Sequence, residues 1–142
     1  MWYQFTGGTA SGTFNLTAPA TLGQYEFRYL LQNGYTVGTS SNQVTINLTG
    51  NYTLTASPAT VSPGGGLTVT WSAPSGRPAN DWVGLFVVGA PNTSYLWYSF
   101  TGGATSGTVN LTAPAQTGQY EFRYLLLNGY TSIATSNTVT DH

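Results

Sequence analysis

Residues 2–45 of this chain return almost unchanged at 97–140, a shift of 95 residues. Of the 44 positions compared, 32 are identical. Phe5-Thr6-Gly7-Gly8 comes back as Phe100-Thr101-Gly102-Gly103, and Gly23 through Leu31 comes back as Gly118 through Leu126. A period near 95 residues is too long for a solenoid turn or a propeller blade. It suits tandem β modules of roughly 100 residues. The 142 residues therefore hold one and a half repeats. Residues 52–142 make a complete module, residues 47–51 a linker, and residues 1–46 the second half of another module.

Period-2 alternation and turn residues place the strands. In the complete module, Tyr52, Leu54 and Ala56 alternate with Thr53 and Thr55, and Leu67, Val69 and Trp71 alternate with Thr68 and Thr70. Asp81–Val88 is apolar on both faces, the pattern of a central strand. Tyr95–Phe100 follows a Gly-Ala-Pro-Asn turn, and Val109 and Leu111 mark the next strand. Tyr120, Phe122, Tyr124 and Leu126 share one face, with Glu121 and Arg123 on the other. Asn128-Gly129 is a hairpin signal, and a last strand runs from Tyr130 to about Val139. No window has helical periodicity. Seven short strands predict an all-β, immunoglobulin-like or fibronectin-III-like antiparallel sandwich.

The run Ser57 to Gly65 leading into Leu67-Thr68-Val69-Thr70-Trp71 resembles the opening of bacterial extracellular immunoglobulin-like modules. Asp81-Trp82-Val83-Gly84-Leu85-Phe86, with Tyr120 to Leu125 and Asn128-Gly129-Tyr130, also resembles SKICH-type immunoglobulin-like domains. The likeness covers about 90 residues. It implies a sandwich used as spacer, adhesive or protein-binding module, and no catalytic residue carries over from it. SKICH domains are eukaryotic and intracellular. The Lys-free, Thr-rich composition departs from them and favours the bacterial relatives.

Composition narrows the function. Only seven residues are charged, three Arg and four Asp or Glu, with no Lys and a net charge of −1. Nucleic-acid binding needs a basic stripe to release counterions, so that class is excluded. No apolar run approaches the roughly 20 residues of a membrane-spanning helix. Cys is absent, and the one His is His142. That removes thiolate metal ligands, a Cys nucleophile and the usual general base. Catalytic residues, cofactors and metal ligands are accordingly expected to be absent. Thr supplies 24 residues, Gly 18, Ser 12 and Asn 10, a composition that points to a bacterial surface or secreted module. Met1 with no basic region after it reads as a processing start, not a signal peptide. Five Asn-x-Ser/Thr sequons begin at Asn15, Asn47, Asn51, Asn92 and Asn110.

Among individual residues, Asp81 and Arg123 are expected to form a cross-strand ion pair. Asp81 with Glu121 as a catalytic carboxylate pair is the weaker alternative, for want of a cleft signature. Tyr120 suits a tyrosine corner, and Trp71 and Trp82 suit the core. Trp97 and Tyr98 are adjacent and point to opposite faces. One of them is therefore exposed, to contact a glycan or a protein partner, and Trp2 and Tyr3 repeat the pair. Outward Thr at Thr53, Thr55, Thr68 and Thr70 is the ordinary composition of a half-exposed sheet, not an ice-binding face.

The half module raises a separate expectation. It carries copies of the last three strands and none of the first three. Tyr25, Phe27, Tyr29 and Leu31 then lack their facing layer. Six to eight large side chains at roughly 1.5–3 kcal/mol each leave on the order of 10–20 kcal/mol of burial unrealised. The 47–51 linker spans at most ~18 Å, short of a ~30 Å strand, so residues 52–96 do not reach back. The half module is expected to pair with other copies of the chain, in a dimer or an open filament.

Overall fold

The computed structural model describes residues 2–19, 21–47 and 50–142. Leu48 and Thr49 of the expected linker, and Met1 and Ala20 of the half module, lie outside the described residues. The chain divides into two units, Met1–Ile46 and Asn47–His142. All regular structure among the described residues is β.

The first unit holds four short strands: β1 (Gly23–Tyr25), β2 (Arg28–Leu31), β3 (Thr36–Ser40) and β4 (Val44–Ile46). They form two antiparallel pairs, β1 with β4 and β2 with β3. The second unit adds β5 (Thr53–Ser57), β6 (Thr60–Val61), β7 (Gly66–Ser72), β8 (Trp82–Val87), β9 (Trp97–Phe100), β10 (Ser106–Thr112), β11 (Gly118–Leu126), β12 (Thr131–Thr135) and β13 (Val139–Asp141).

The second unit is a β-sandwich. One sheet has the order β10-β7-β5. The other runs β6-β13-β11-β8-β9, with β12 also paired to β11. Leu54, Ala56, Leu67, Val69 and Trp71 from the smaller sheet meet Val83, Leu85, Phe122, Tyr124 and Val139 from the larger in one core. The alternation read from the sequence is the alternation that packs. Tyr120, Phe122 and Tyr124 are all buried, and the Tyr120 hydroxyl donates to the Gln116 carbonyl at 2.6 Å, closing a tyrosine corner.

Strand β8 is apolar on both faces because both faces are covered. Val83 and Leu85 face the sandwich core. Trp82 and Phe86 form a second buried cluster with Leu125. Trp82 is thus buried as expected, but outside the main core. Gly84 sits between the two rings. A Cβ there would lie 2.7 Å from the Trp82 ring and 2.9 Å from the Phe86 ring.

Two strand expectations need correction. The copies of β9 and β10 in the first unit, residues 2–5 and 11–17, are not strands, and the copy of β11 breaks between Tyr25 and Arg28. The reason is pairing. In the second unit β9 is held by β8 and β10 by β7, and the first unit has no counterpart of either. The last strand, read as continuous, is split into β12 and β13. The polar stretch between them carries Asn137, whose side chain bonds to the backbone of Ala56.

The hairpin turn forms one residue earlier than Asn128-Gly129 implies. Leu127 and Asn128 hold the positive φ angles, 57° and 52°, and the Gly129 N–H donates to the Leu126 carbonyl at 2.8 Å. Gln32 and Asn33 repeat it at 53° each. The turn is therefore set locally.

Candidate functional site

Two surfaces emerge, one on each unit. On the second unit, Tyr98 and Phe100 share the outward face of β9, two residues apart. The β8–β9 register sets Phe100 opposite Trp82. The Trp82 indole lies beneath Tyr95, Tyr98 and Tyr130, with centroids at 5.3, 6.1 and 6.3 Å and interplanar angles of 72°, 85° and 87°. Its Nε1–H donates to the Gly129 carbonyl at 3.0 Å, which satisfies the buried donor and fixes the ring. Above it Tyr95, Tyr98, Phe100 and Tyr130 stay exposed, Tyr98 to 49%. With Asn128 these residues line an open cleft of about 100 Å³. No lining residue is charged. The cleft offers aromatic faces and edges, phenolic hydroxyls and one carboxamide.

Of the adjacent aromatics, Tyr98 faces this cleft. Trp97 points the other way, half-buried against the core, edge-on to Phe122 at 6.3 Å and 85°. Trp97 is therefore a packing residue. Trp2 and Tyr3 are both exposed, with Trp2 edge-on to Phe14 at 5.8 Å and to Phe27 at 6.4 Å. Sequence reasoning missed Tyr95, Phe100 and Tyr130 as cleft residues. The Tyr98-x-Phe100 spacing was the available signal.

The expected Asp81–Arg123 ion pair does not form. Arg123 lies opposite Gly84 and Leu125 opposite Trp82, so Asp81 stands three residues along, roughly 10 Å away. Asp81 also faces the core side. Its fully buried carboxylate accepts from Arg77 Nε at 2.6 Å and Nη2 at 3.0 Å, from the Leu127 N–H at 2.9 Å and from the Tyr124 hydroxyl at 3.2 Å. Burial pushes the Tyr124 hydroxyl pKa up to about 12, and the negative charge of Asp81 adds to this. Arg123 instead lies over the Phe86 ring at 4.5 Å. It donates to Glu121 at 2.7 and 2.9 Å, to the Ala90 carbonyl at 2.6 Å and to Asn92 Oδ1 at 2.8 Å. Both carboxylates are thus engaged by guanidinium groups. Among the described residues, no three His, Cys, Asp or Glu side chains gather as a metal site.

The second surface belongs to the first unit. Phe27 is 53% exposed and Tyr29 49%, whereas Phe122 and Tyr124, their counterparts, are 0% exposed. Leu30 and Leu31 are exposed where Leu125 and Leu126 are buried. Tyr25 is half-buried, and its hydroxyl donates to the Thr21 carbonyl at 2.8 Å.

No protein-family model matches the chain, and no curated protein matches it.

Proposed function

We propose that this chain is a non-enzymatic structural and adhesive repeat module of a bacterial surface or secreted protein. Its sandwich is immunoglobulin-like, and it associates through the half module by strand complementation, as a dimer or a filament. One observation carries the reading: a single sequence, Phe-Arg-Tyr-Leu-Leu, is buried at 122–126 and exposed at 27–31. Contiguous exposed apolar surface of this kind marks an association site. A net charge of −1 offers little repulsion against it. Light scattering on the 142-residue chain, beside residues 50–142 alone, tests the reading. Association of the longer chain only, abolished by Phe27→Asp, supports it. Two monomers at micromolar concentration overturn it.

The uncharged aromatic cleft favours a second reading, a carbohydrate-binding module of a secreted hydrolase. Aromatic rings stack on the C–H faces of sugars, and phenolic hydroxyls and a carboxamide recognise hydroxyl groups. Saturable binding on a glycan array, lost in Tyr98→Ala, supports it; a blank array removes it.

A further inference from the structure

Resting on the association reading, we propose which partner the half module takes. The occupant of its exposed face is a β5–β8 segment with the sequence of residues 52–96, supplied by a copy of the repeat whose own second half does not hold it, and not a second half-module face.

The apolar half of the argument is identity. Tyr25, Phe27, Tyr29 and Leu31 match Tyr120, Phe122, Tyr124 and Leu126, and in the second unit those residues pack against Leu54, Leu67, Trp71 and Leu85 in one core. An apolar face alone is promiscuous, however, and two such faces can bury each other.

The polar groups discriminate. In the second unit the hydrogen bonds between the same half-sequence and 52–96 include five sets that place specific polar groups. Asn137 bonds the backbone N–H and carbonyl of Ala56. Arg123 donates to Ala90 and Asn92. The Tyr124 hydroxyl and the Leu127 N–H donate to the Asp81 carboxylate. The Asn128 N–H donates to the Asn80 carbonyl at 2.7 Å, and the Gly129 carbonyl accepts from Trp82. The half module carries every counterpart: Asn42, Arg28, Tyr29, Gln32, Asn33 and Gly34. Arg28 reaches Glu26, at 2.6 Å, and Asn42 Nδ2 only the neighbouring Gln43 carbonyl, at 3.5 Å. Arg28, the Tyr29 hydroxyl and the Gln32 and Asn33 N–H groups are donors whose counterparts in the second unit meet acceptors on 52–96. Two half-module faces would set donors against donors, with no carboxylate in the place of Asp81. Buried donors left unpaired are costly, so isologous pairing is disfavoured and the segment that carries Asp81 selected.

The acceptor is also pre-organised in its turn and in the residues around Tyr25 to Ser41. The positive-φ turn, the tyrosine corner and the acid–Arg pair all stand in the half module as in the complete one. So does the Ser hydroxyl that accepts from the Phe N–H, at 3.0 Å for Ser41 and 2.9 Å for Ser136. What it lacks is what 52–96 supplies, and pre-organisation lowers the ordering cost of taking it.

The test adds a separate polypeptide of residues 50–96 to the full chain. Expected is a one-to-one complex in which Phe27–Leu31 amides exchange at least tenfold more slowly. Phe27→Asp in the chain, or Asp81→Asn in the added polypeptide, should weaken capture at least tenfold. Should the free polypeptide prove insoluble, the same segment fused ahead of residue 2 through a flexible linker gives the same exchange readout. Unchanged Phe27–Leu31 exchange in a soluble mixture or in the fusion overturns the partner assignment. So does capture indifferent to both substitutions. A chain that self-associates yet ignores the segment overturns the assignment and leaves the association reading standing. A chain that does neither overturns both.

Discussion

Asn137 clamps Ala56 at two points, its Oδ1 accepting from the Ala56 N–H at 2.9 Å and its Nδ2 donating to the Ala56 carbonyl at 3.1 Å. Among the described residues, strand β5 is the edge of its sheet and pairs only with β7. The Asn137 amide therefore acts as one rung of ladder on that open edge, supplied from the opposing sheet. Edges left bare invite foreign strands. Asn137→Ala should cost the second unit about 2 kcal/mol, the worth of two hydrogen bonds. Asn42 has no β5 to hold within its own unit, and Asn42→Ala should leave the second unit within about 0.5 kcal/mol. Urea denaturation of each variant checks both, and equal costs would refute the clamp.

Phe122 is fully buried in the core, and Phe27 is not. Phe122→Ala should lower stability by about 3–5 kcal/mol, the transfer term plus the cavity left behind. Phe27→Ala should leave the unfolding midpoint of the second unit in place. A loss below about 1 kcal/mol for Phe122→Ala would contradict its core position.

Gly107 lies opposite Trp71 in the β10–β7 register, and the indole folds over it. A Cβ at Gly107 would come within 2.7–2.8 Å of three ring atoms. Trp71 is buried and edge-on to Tyr124 at 5.9 Å, so it has no free space to yield. Gly107→Ala should therefore cost about 1–3 kcal/mol by overpacking. A Cβ at Gly12, its counterpart, meets nothing within 4 Å. Gly12→Ala should be neutral, and thermal melts of the two variants check the contrast.

The contrast between the copies shows what was legible. Strands whose apolar residues alternate, such as β7 and β11, could be read directly, because alternation and burial are one fact seen twice. The state of residues 11–17 could not. Asn15-Leu16-Thr17 and Asn110-Leu111-Thr112 are identical, and only the second is strand. What differs is a β7 to pair with, a property of the surroundings. Tyr98 could be placed on an exposed face by parity. The cleft could not, because it needs the register that sets Trp82 opposite Phe100 and the turn that returns Tyr130. The Asp81 ion pair was misplaced for the same reason: neighbouring strands were known, but the offset between them was not.

Asp141 occupies an inward position of β13, between Val61 of β6 and Gly118 of β11. It is 2% exposed, and neither carboxyl oxygen has a hydrogen-bond partner. In the first copy Ile46 stands at the matching place. A buried polar group without a partner costs about 1–3 kcal/mol. Asp141→Ile should therefore stabilise the second unit by a comparable amount. A drop in the urea midpoint would show that the carboxyl is satisfied in solution.

The last prediction concerns alkaline pH. Burial raises the Tyr124 hydroxyl from 10.0 to about 12, and Tyr52 beside it, at 5.2 Å between ring centroids, is raised in the same direction chiefly by burial. A raised folded-state value on an acid means that the unfolded chain loses its proton first. Below pH 10 both states are protonated, and the stabilisation is fully present. Between about pH 10 and 12 the unfolded state binds fewer protons, so stability falls as pH rises. The two-unit shift corresponds to on the order of 2–3 kcal/mol by pH 12. Tyr124→Phe removes this ionisation. At pH 8 the variant should be less stable by about 1 kcal/mol, having lost the hydrogen bond to Asp81. Toward pH 12 the parent chain should lose about 2 kcal/mol relative to the variant, so that the order reverses and the variant becomes the more stable by about 1 kcal/mol. Urea midpoints measured at pH 8, 10, 11 and 12 trace the difference, and a constant gap across that range would mean that Tyr124 ionises alike in both states.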